Sequence, residues 1–180
     1  APRRDTVETG AAPLLELRGL TTRYDLRAPL TRRLVAQVRA VEDVSLTLAA
    51  GETLAIVGES GSGKSTIGRS LMGLVKPAAG EIRLRGRDAA ELSRAEMARE
   101  VQMIFQDPFA SLNPRLTVAE AIAEPLRIHG LADRAEGARI AAGLLEQVGL
   151  PAAAAGRYPH EFSGGQRQRI CIARGLALRP

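Results

Sequence analysis

Eight residues carry the clearest chemistry in the chain: Gly58-Glu59-Ser60-Gly61-Ser62-Gly63-Lys64-Ser65. They fit the pattern G-x-x-x-x-G-K-[ST], which binds phosphate when it follows a strand and opens a helix. Gly61 and Gly63 free the backbone to turn successive N–H groups inward as an anion nest. A helix starting at Ser65 adds its unpaired N–H groups and the positive end of its macrodipole. Lys64 supplies a full positive charge, Ser65 a hydroxyl placed to ligate Mg²⁺, and Thr66 lies on the first helical turn beside the α-phosphate. This chemistry is the binding of a nucleoside triphosphate with magnesium.

A second cluster, Phe162-Ser163-Gly164-Gly165-Gln166-Arg167-Gln168-Arg169, again reads as an anion-facing helix start. Ser163 caps the helix and two glycines permit close backbone approach. A third, Val101-Gln102-Met103-Ile104-Phe105-Gln106-Asp107-Pro108, reads as an apolar strand running into Gln106.

Together these motifs resemble the P-loop, Q-loop and signature sequence of ABC transporter ATPases, with Phe162 where Leu is commonest in the signature. The segments Gln106 to Arg115 and Arg157 to Phe162 are similar to the ATP-binding subunits of oligopeptide and dipeptide importers. The resemblance covers about residues 14 to 180.

It implies that Gly58, Glu59, Ser60, Gly61, Ser62, Gly63, Lys64, Ser65 and Thr66 bind ATP. Ser65 and Gln106 would hold Mg²⁺, and Tyr24 would stack on the adenine. Ser163, Gly164, Gly165 and Gln166 would cover the γ-phosphate held by a second such domain, making a homo- or hetero-dimer. The remaining implied partners are integral membrane subunits, at the cytoplasmic face of the cell membrane. The family's domain continues beyond the signature helix into a strand with a metal-binding Asp, a catalytic Glu and later a switch His. None of these is in the sequence, so no catalytic residue is assigned. The chain, which opens on Ala1 rather than Met, is read as an incomplete domain that binds ATP without efficient hydrolysis. Two alternatives are a non-hydrolysing ATP-binding or dimerisation module, and a soluble ABC ATPase.

The resemblance also implies an α/β fold of the P-loop NTPase, ABC-ATPase type. It has an antiparallel β subdomain and an inserted helical subdomain, with the C-terminal part of the core missing. Residues 1–13 form an aperiodic tail or linker. Leu14 to Leu17 and Val41 to Leu48 read as strands, the second by its alternation, separated by a basic, irregular insertion from Asp25 to Arg39. Thr53 to Val57 is apolar throughout, as a strand buried on both faces would be. A helix from Ser65 to Val75 follows, then strands at Glu81 to Arg85 and Val101 to Phe105, with a helical stretch from Ala90 to Glu100. From about 113 to 160 the pattern is helical: a short helix ended by Pro125, and another carrying Ala141, Leu144, Leu145 and Val148, stopped at Gly149. A last helix runs from near Gly165 through Ile170, Ala173 and Ala177.

The composition fits a globular protein, with 45% hydrophobic and 25% charged residues among 180 and a net charge of +5. Lys64 and Lys76 are the only lysines, and the arginines are interspersed with acids rather than massed on one arm. That dispersion argues against nucleic acid. The single cysteine, Cys171, sits in an apolar run and reads as a buried thiol. No apolar run reaches the ~18 residues that span a bilayer, which argues against direct membrane insertion. His129 and His160 lack metal-ligand spacing and read as structural.

Overall fold

In a computed structural model of the chain, residues 12–27 and 33–180 are described. The expected tail lies almost wholly outside them. Two compact units divide the chain, Ala1–Arg94 and Ala95–Pro180.

The first unit is an antiparallel sheet with one helix against it. Strand β1 (Leu15–Arg27) pairs with β2 (Leu34–Leu48) and, on its other edge, with β3 (Ala79–Leu84), which pairs in turn with the two-residue β4 (Arg87–Asp88). Both long strands exceed the expected ones. The stretch read as an irregular insertion continues the ladder, with Tyr24 opposite Val38 and Asp25 opposite Gln37. Single-strand periodicity misses this because the cross-strand partner, not alternation, carries the pairing there. Leu17, Leu20, Val41, Ile67 and Ile82 form the core, Ile67 being supplied by helix α1 (Lys64–Leu71). At the same interface the buried hydroxyls of Thr22 and Ser70 share a hydrogen bond of 3.1 Å. Helix α1 ends at Leu71, short of the expected Val75.

The second unit is helical: α2 (Arg94–Glu100, its first residue in the first unit), α3 (Pro108–Ser111), α4 (Val118–Ile128), α5 (Arg134–Gln147) and α6 (Gly164–Leu176). Val118, Ile122, Ala141, Leu145, Ile170 and Ala173 pack into one core with Phe162 and Cys171. Helix α4 does not stop at Pro125. It runs on to Ile128, because Leu126 is buried in the core and packing outweighs the lost backbone donor. Gly149, at φ 73°, stops the chain after α5 as expected. The core holds α6 as well as α4 and α5, so this unit extends beyond the stretch 113–160 read as helical.

Thr53–Val57 and Val101–Phe105, both expected as strands, form no ladder among the described residues. Val57 is 89% exposed and Phe105 46%. Apolar runs of this kind become strands only when parallel neighbours pair with them and helices cover both faces.

Candidate functional site

The loop and α1 position the first set of predicted residues. Gly58 to Gly63 carry no regular structure; Lys64, Ser65 and Thr66 form the first turn of α1. Gly61 and Gly63 have φ of 82° and 92°, and Gly63 is the N-cap with no side chain capping the helix. The first N–H groups of α1 therefore have no side-chain acceptor at the cap. A Cβ on Gly63 would meet the Ala40 carbonyl oxygen at 2.3 Å, so strand β2 presses on the loop at this point. At Gly61 nothing lies within 4 Å of where a Cβ would be. One glycine thus lets the strand approach and the other leaves the loop face open.

Lys64 is the strap of the loop. Its Nζ donates to the carbonyls of Gly58 (2.8 Å) and Glu59 (2.6 Å) and to Ser62 Oγ (3.2 Å). Beside it a pocket of about 130 Å³ is lined by Ala40, Gly61, Gly63, Lys64, Ser65 and Thr66. Helix N–H groups, an ammonium and two hydroxyls make this donor set fit for a phosphate. The exposed Ser65 hydroxyl fits a hard cation that shares oxygens with phosphate and water. Among the described residues no three His, Cys, Asp or Glu side chains cluster as a metal cage. Ala40 was not legible in the sequence: an alanine in a strand gives no signal, and only the register of β2 brings it to the loop.

Tyr24 stands on β1 in the same unit, half-buried, with its hydroxyl buried and without a hydrogen-bond partner among the described residues. The other predicted residues belong to the second unit. Gln106 is exposed between the 101–105 run and α3. The Phe105 carbonyl accepts from Gln168 Nε2 at 3.4 Å, which ties that run to α6.

Ser163 caps α6 in a reciprocal capping box. Its Oγ accepts from Gln166 N at 3.3 Å, and Gln166 Oε1 accepts from Ser163 N at 2.9 Å. Gly164 and Gly165 are exposed, and no atom lies within 4 Å of an added Cβ at either. Nothing among the described residues demands glycine at these positions. Arg167 steadies the turn from behind, donating from Nε to the Phe162 carbonyl at 2.9 Å. Arg157 lies 4.6 Å over the Phe162 ring and pairs with Glu161. The Glu161 carboxyl is held below its ordinary range, chiefly by the Tyr158 N–H. Sequence reading placed both arginines in its motifs but gave neither a role of its own, because their importance lies in contacts across the turn.

His160 stacks on Tyr158, and His129 accepts from Arg99. Cys171 is buried and free, and burial raises its thiol pKa, which disfavours the reactive thiolate.

Similarity to known proteins agrees with this geometry. The ABC transporter family model matches residues 41–180. The chain is 56% identical to the glutathione import ATP-binding protein GsiA of Salmonella paratyphi A, covering 98% of this chain and 29% of that protein. To the Escherichia coli K12 protein of the same name it is 55% identical, covering 93% and 27%. The chain thus spans under a third of the length of these curated relatives. A solved structure described as a dimeric, post-hydrolysis ATP-binding cassette, MJ0796, bound to ADP and Pi matches with TM-score 0.76 and 30% identity. That match covers 92% of this chain and 70% of the other. With its family match over most of its length and its cassette fold, the chain belongs to the ABC transporter family of ATP-binding proteins.

Proposed function

We propose that the chain is the nucleotide-binding part of an ABC importer ATPase that couples ATP binding and hydrolysis to uptake of peptides or similar small solutes. The observation that carries this reading is the pocket at the start of α1. There Lys64, two left-handed glycines and an uncapped helix N-terminus converge on a space of phosphate size. The loop Gly58 to Ser65 binds the β- and γ-phosphates, Thr66 lies by the α-phosphate, and Tyr24 takes the adenine. Its buried, unpartnered hydroxyl would gain an acceptor if a ligand reached it. Mg²⁺, held by Ser65 with phosphate oxygens, would neutralise charge on the phosphates.

The turn Ser163 to Gln166 faces a partner's nucleotide. This accounts for two exposed glycines that nothing among the described residues requires. The working assembly is a dimer of such domains on integral membrane subunits at the cytoplasmic face of the membrane. The relatives named for glutathione import, glutathione being a small peptide, support the solute class. Residues 14–180 form one nucleotide-binding domain in this reading, with 113–160 as its helical subdomain.

The test is Lys64→Ala. Losing a charge-assisted contact of about 1.5–3 kcal/mol should weaken Mg·ATP binding roughly tenfold to a hundredfold in equilibrium titration. Unchanged affinity in a folded variant would sink the assignment.

A further inference from the structure

Two buried hydroxyls join the sheet to α1: those of Thr22 and Ser70, 3.1 Å apart. The apolar contacts of the surrounding core are non-directional, and by themselves they tolerate sliding of a helix only eight residues long. A hydrogen bond is directional and, when buried, costly to leave unmade, so it fixes α1 at one position along β1.

This bond ties together the elements that carry the two ends of the nucleotide site. Ser70 is on the helix whose first turn holds Lys64, Ser65 and Thr66, and Thr22 stands two residues before Tyr24 on β1. Thr22 pairs with Val41 and Arg23 with Arg39, so the extra residue of the bulge at this point is Ala40, on β2. Alternation along β1 is therefore unbroken from Thr22 to Tyr24. Both lie on one face of β1, the face where Thr22 meets α1, and the exposed Arg23 lies on the other. Val41, the cross-strand partner of Thr22, meets the start of the helix: an added Cβ on Gly63 would lie 3.3 Å from Val41 Cγ2. One rung of the ladder thus holds α1 at its start through Val41 and further along through Thr22.

We propose that Thr22 and Ser70 are positioning residues, setting the spacing between the tyrosine that stacks on the base and the loop that holds the phosphates. The proposal rests on the assignment of adenine to Tyr24. With the bond intact one ATP reaches both ends of the site; without it the phosphates still bind and part of the stacking is lost.

The experiment titrates the full chain and its variants with Mg·ATP and with Mg·tripolyphosphate, which offers phosphates without a base. Tyr24→Ala should lower ATP affinity at least about fivefold, on the scale of base–aromatic stacking, and spare tripolyphosphate. Thr22→Val with Ser70→Ala replaces both partners by apolar groups, so its thermal midpoint should stay near the parent's. Its ATP affinity should fall at least about threefold, a part of that stacking, with tripolyphosphate again spared. Ser70→Ala alone should act likewise. Thr22→Ser keeps the hydroxyl and loses a buried methyl, so its midpoint should fall while its ATP affinity holds. Added to Tyr24→Ala, the double change should weaken ATP no further. Equal loss of both ligands, unchanged ATP affinity in folded Ser70→Ala, a loss in Thr22→Ser as large as in the double variant, or a further loss on the Tyr24→Ala background overturns the proposal. If Tyr24→Ala leaves ATP affinity unchanged, the adenine assignment fails and the proposal with it. If Tyr24→Ala weakens ATP and the folded double variant does not, the proposal alone fails.

Discussion

Lys64 has two tasks that substitution can separate. It spans the loop through Gly58, Glu59 and Ser62, and it places a positive charge beside the pocket. Ser62→Ala removes one strap contact and leaves the charge. ATP affinity should then fall by about twofold to tenfold at most, because a single exposed hydrogen bond is worth about 0.5–1.5 kcal/mol. A loss as large as that of Lys64→Ala would mean that the strap, not the charge, makes the site. Gly63 is constrained differently. An added Cβ there would lie 2.3 Å from the Ala40 carbonyl, at a φ of 92°. Gly63→Ala should therefore displace the loop or β2 and lower the thermal midpoint by several degrees, as a strained backbone costing about 1–3 kcal/mol does. An unshifted midpoint would show that β2 does not press on the loop.

Two helix starts share the reciprocal capping box and differ in purpose. At α4, Thr117 Oγ1 accepts from Glu120 N, and the Glu120 carboxylate accepts from Thr117 N at 3.0 Å. Thr117→Ala should cost about 1 kcal/mol. The Glu120 pKa is lowered, first by the Thr117 backbone N–H and then by its hydroxyl. A carboxyl depressed in the folded state stabilises above its unfolded pKa, and that stability is lost as pH falls through the folded value. Thr117→Ala should thus lose less stability than the parent on acidification below the ordinary carboxylate range, as unfolding followed against pH would show. At α6 the box instead presents two open glycines. Gly164→Glu adds a carboxylate to the first turn, where the helix dipole favours it and an approaching phosphate does not. Its midpoint should hold while ATP-driven dimerisation, followed by light scattering, is lost; a dimer that still forms would remove α6 from the interface. Much of this was legible in the sequence, since Ser163, Gly164 and Gln166 are local signals, as are the stripe of α5 and its stop at Gly149. The outer half of the β1–β2 ladder was not, because Asp25 to Arg39 shows no alternation and its order comes from cross-strand pairing. The passage of α4 through Pro125 was hidden for a like reason, tertiary burial of Leu126 overriding a local breaker.

At the scale of the whole molecule, each unit has its own core, and the two apolar runs expected as strands, the first of them buried on both faces, belong to neither. Ile56, Val57, Ile104 and Phe105 are all among the exposed large hydrophobic residues. Sequence pattern identified these runs from their composition, but a buried parallel strand is defined by neighbours that the pattern does not contain. This makes Val57 a reporter of assembly. At 89% exposure its replacement by serine removes almost no buried surface, so Val57→Ser should alter the unfolding free energy of the 180-residue chain by under about 0.5 kcal/mol. Where a longer chain or a partner supplies parallel neighbours, Val57 becomes a two-sided core residue. The same change then loses much of the ~1.5–3 kcal/mol of a buried side chain and places a hydroxyl in an apolar layer. Denaturant unfolding of parent and variant, in this chain and in a protein of its relatives' full length, separates the cases. A loss above about 1 kcal/mol in the short chain would show that the run already pairs there, and an equal, negligible effect in both would show that it is never a core strand.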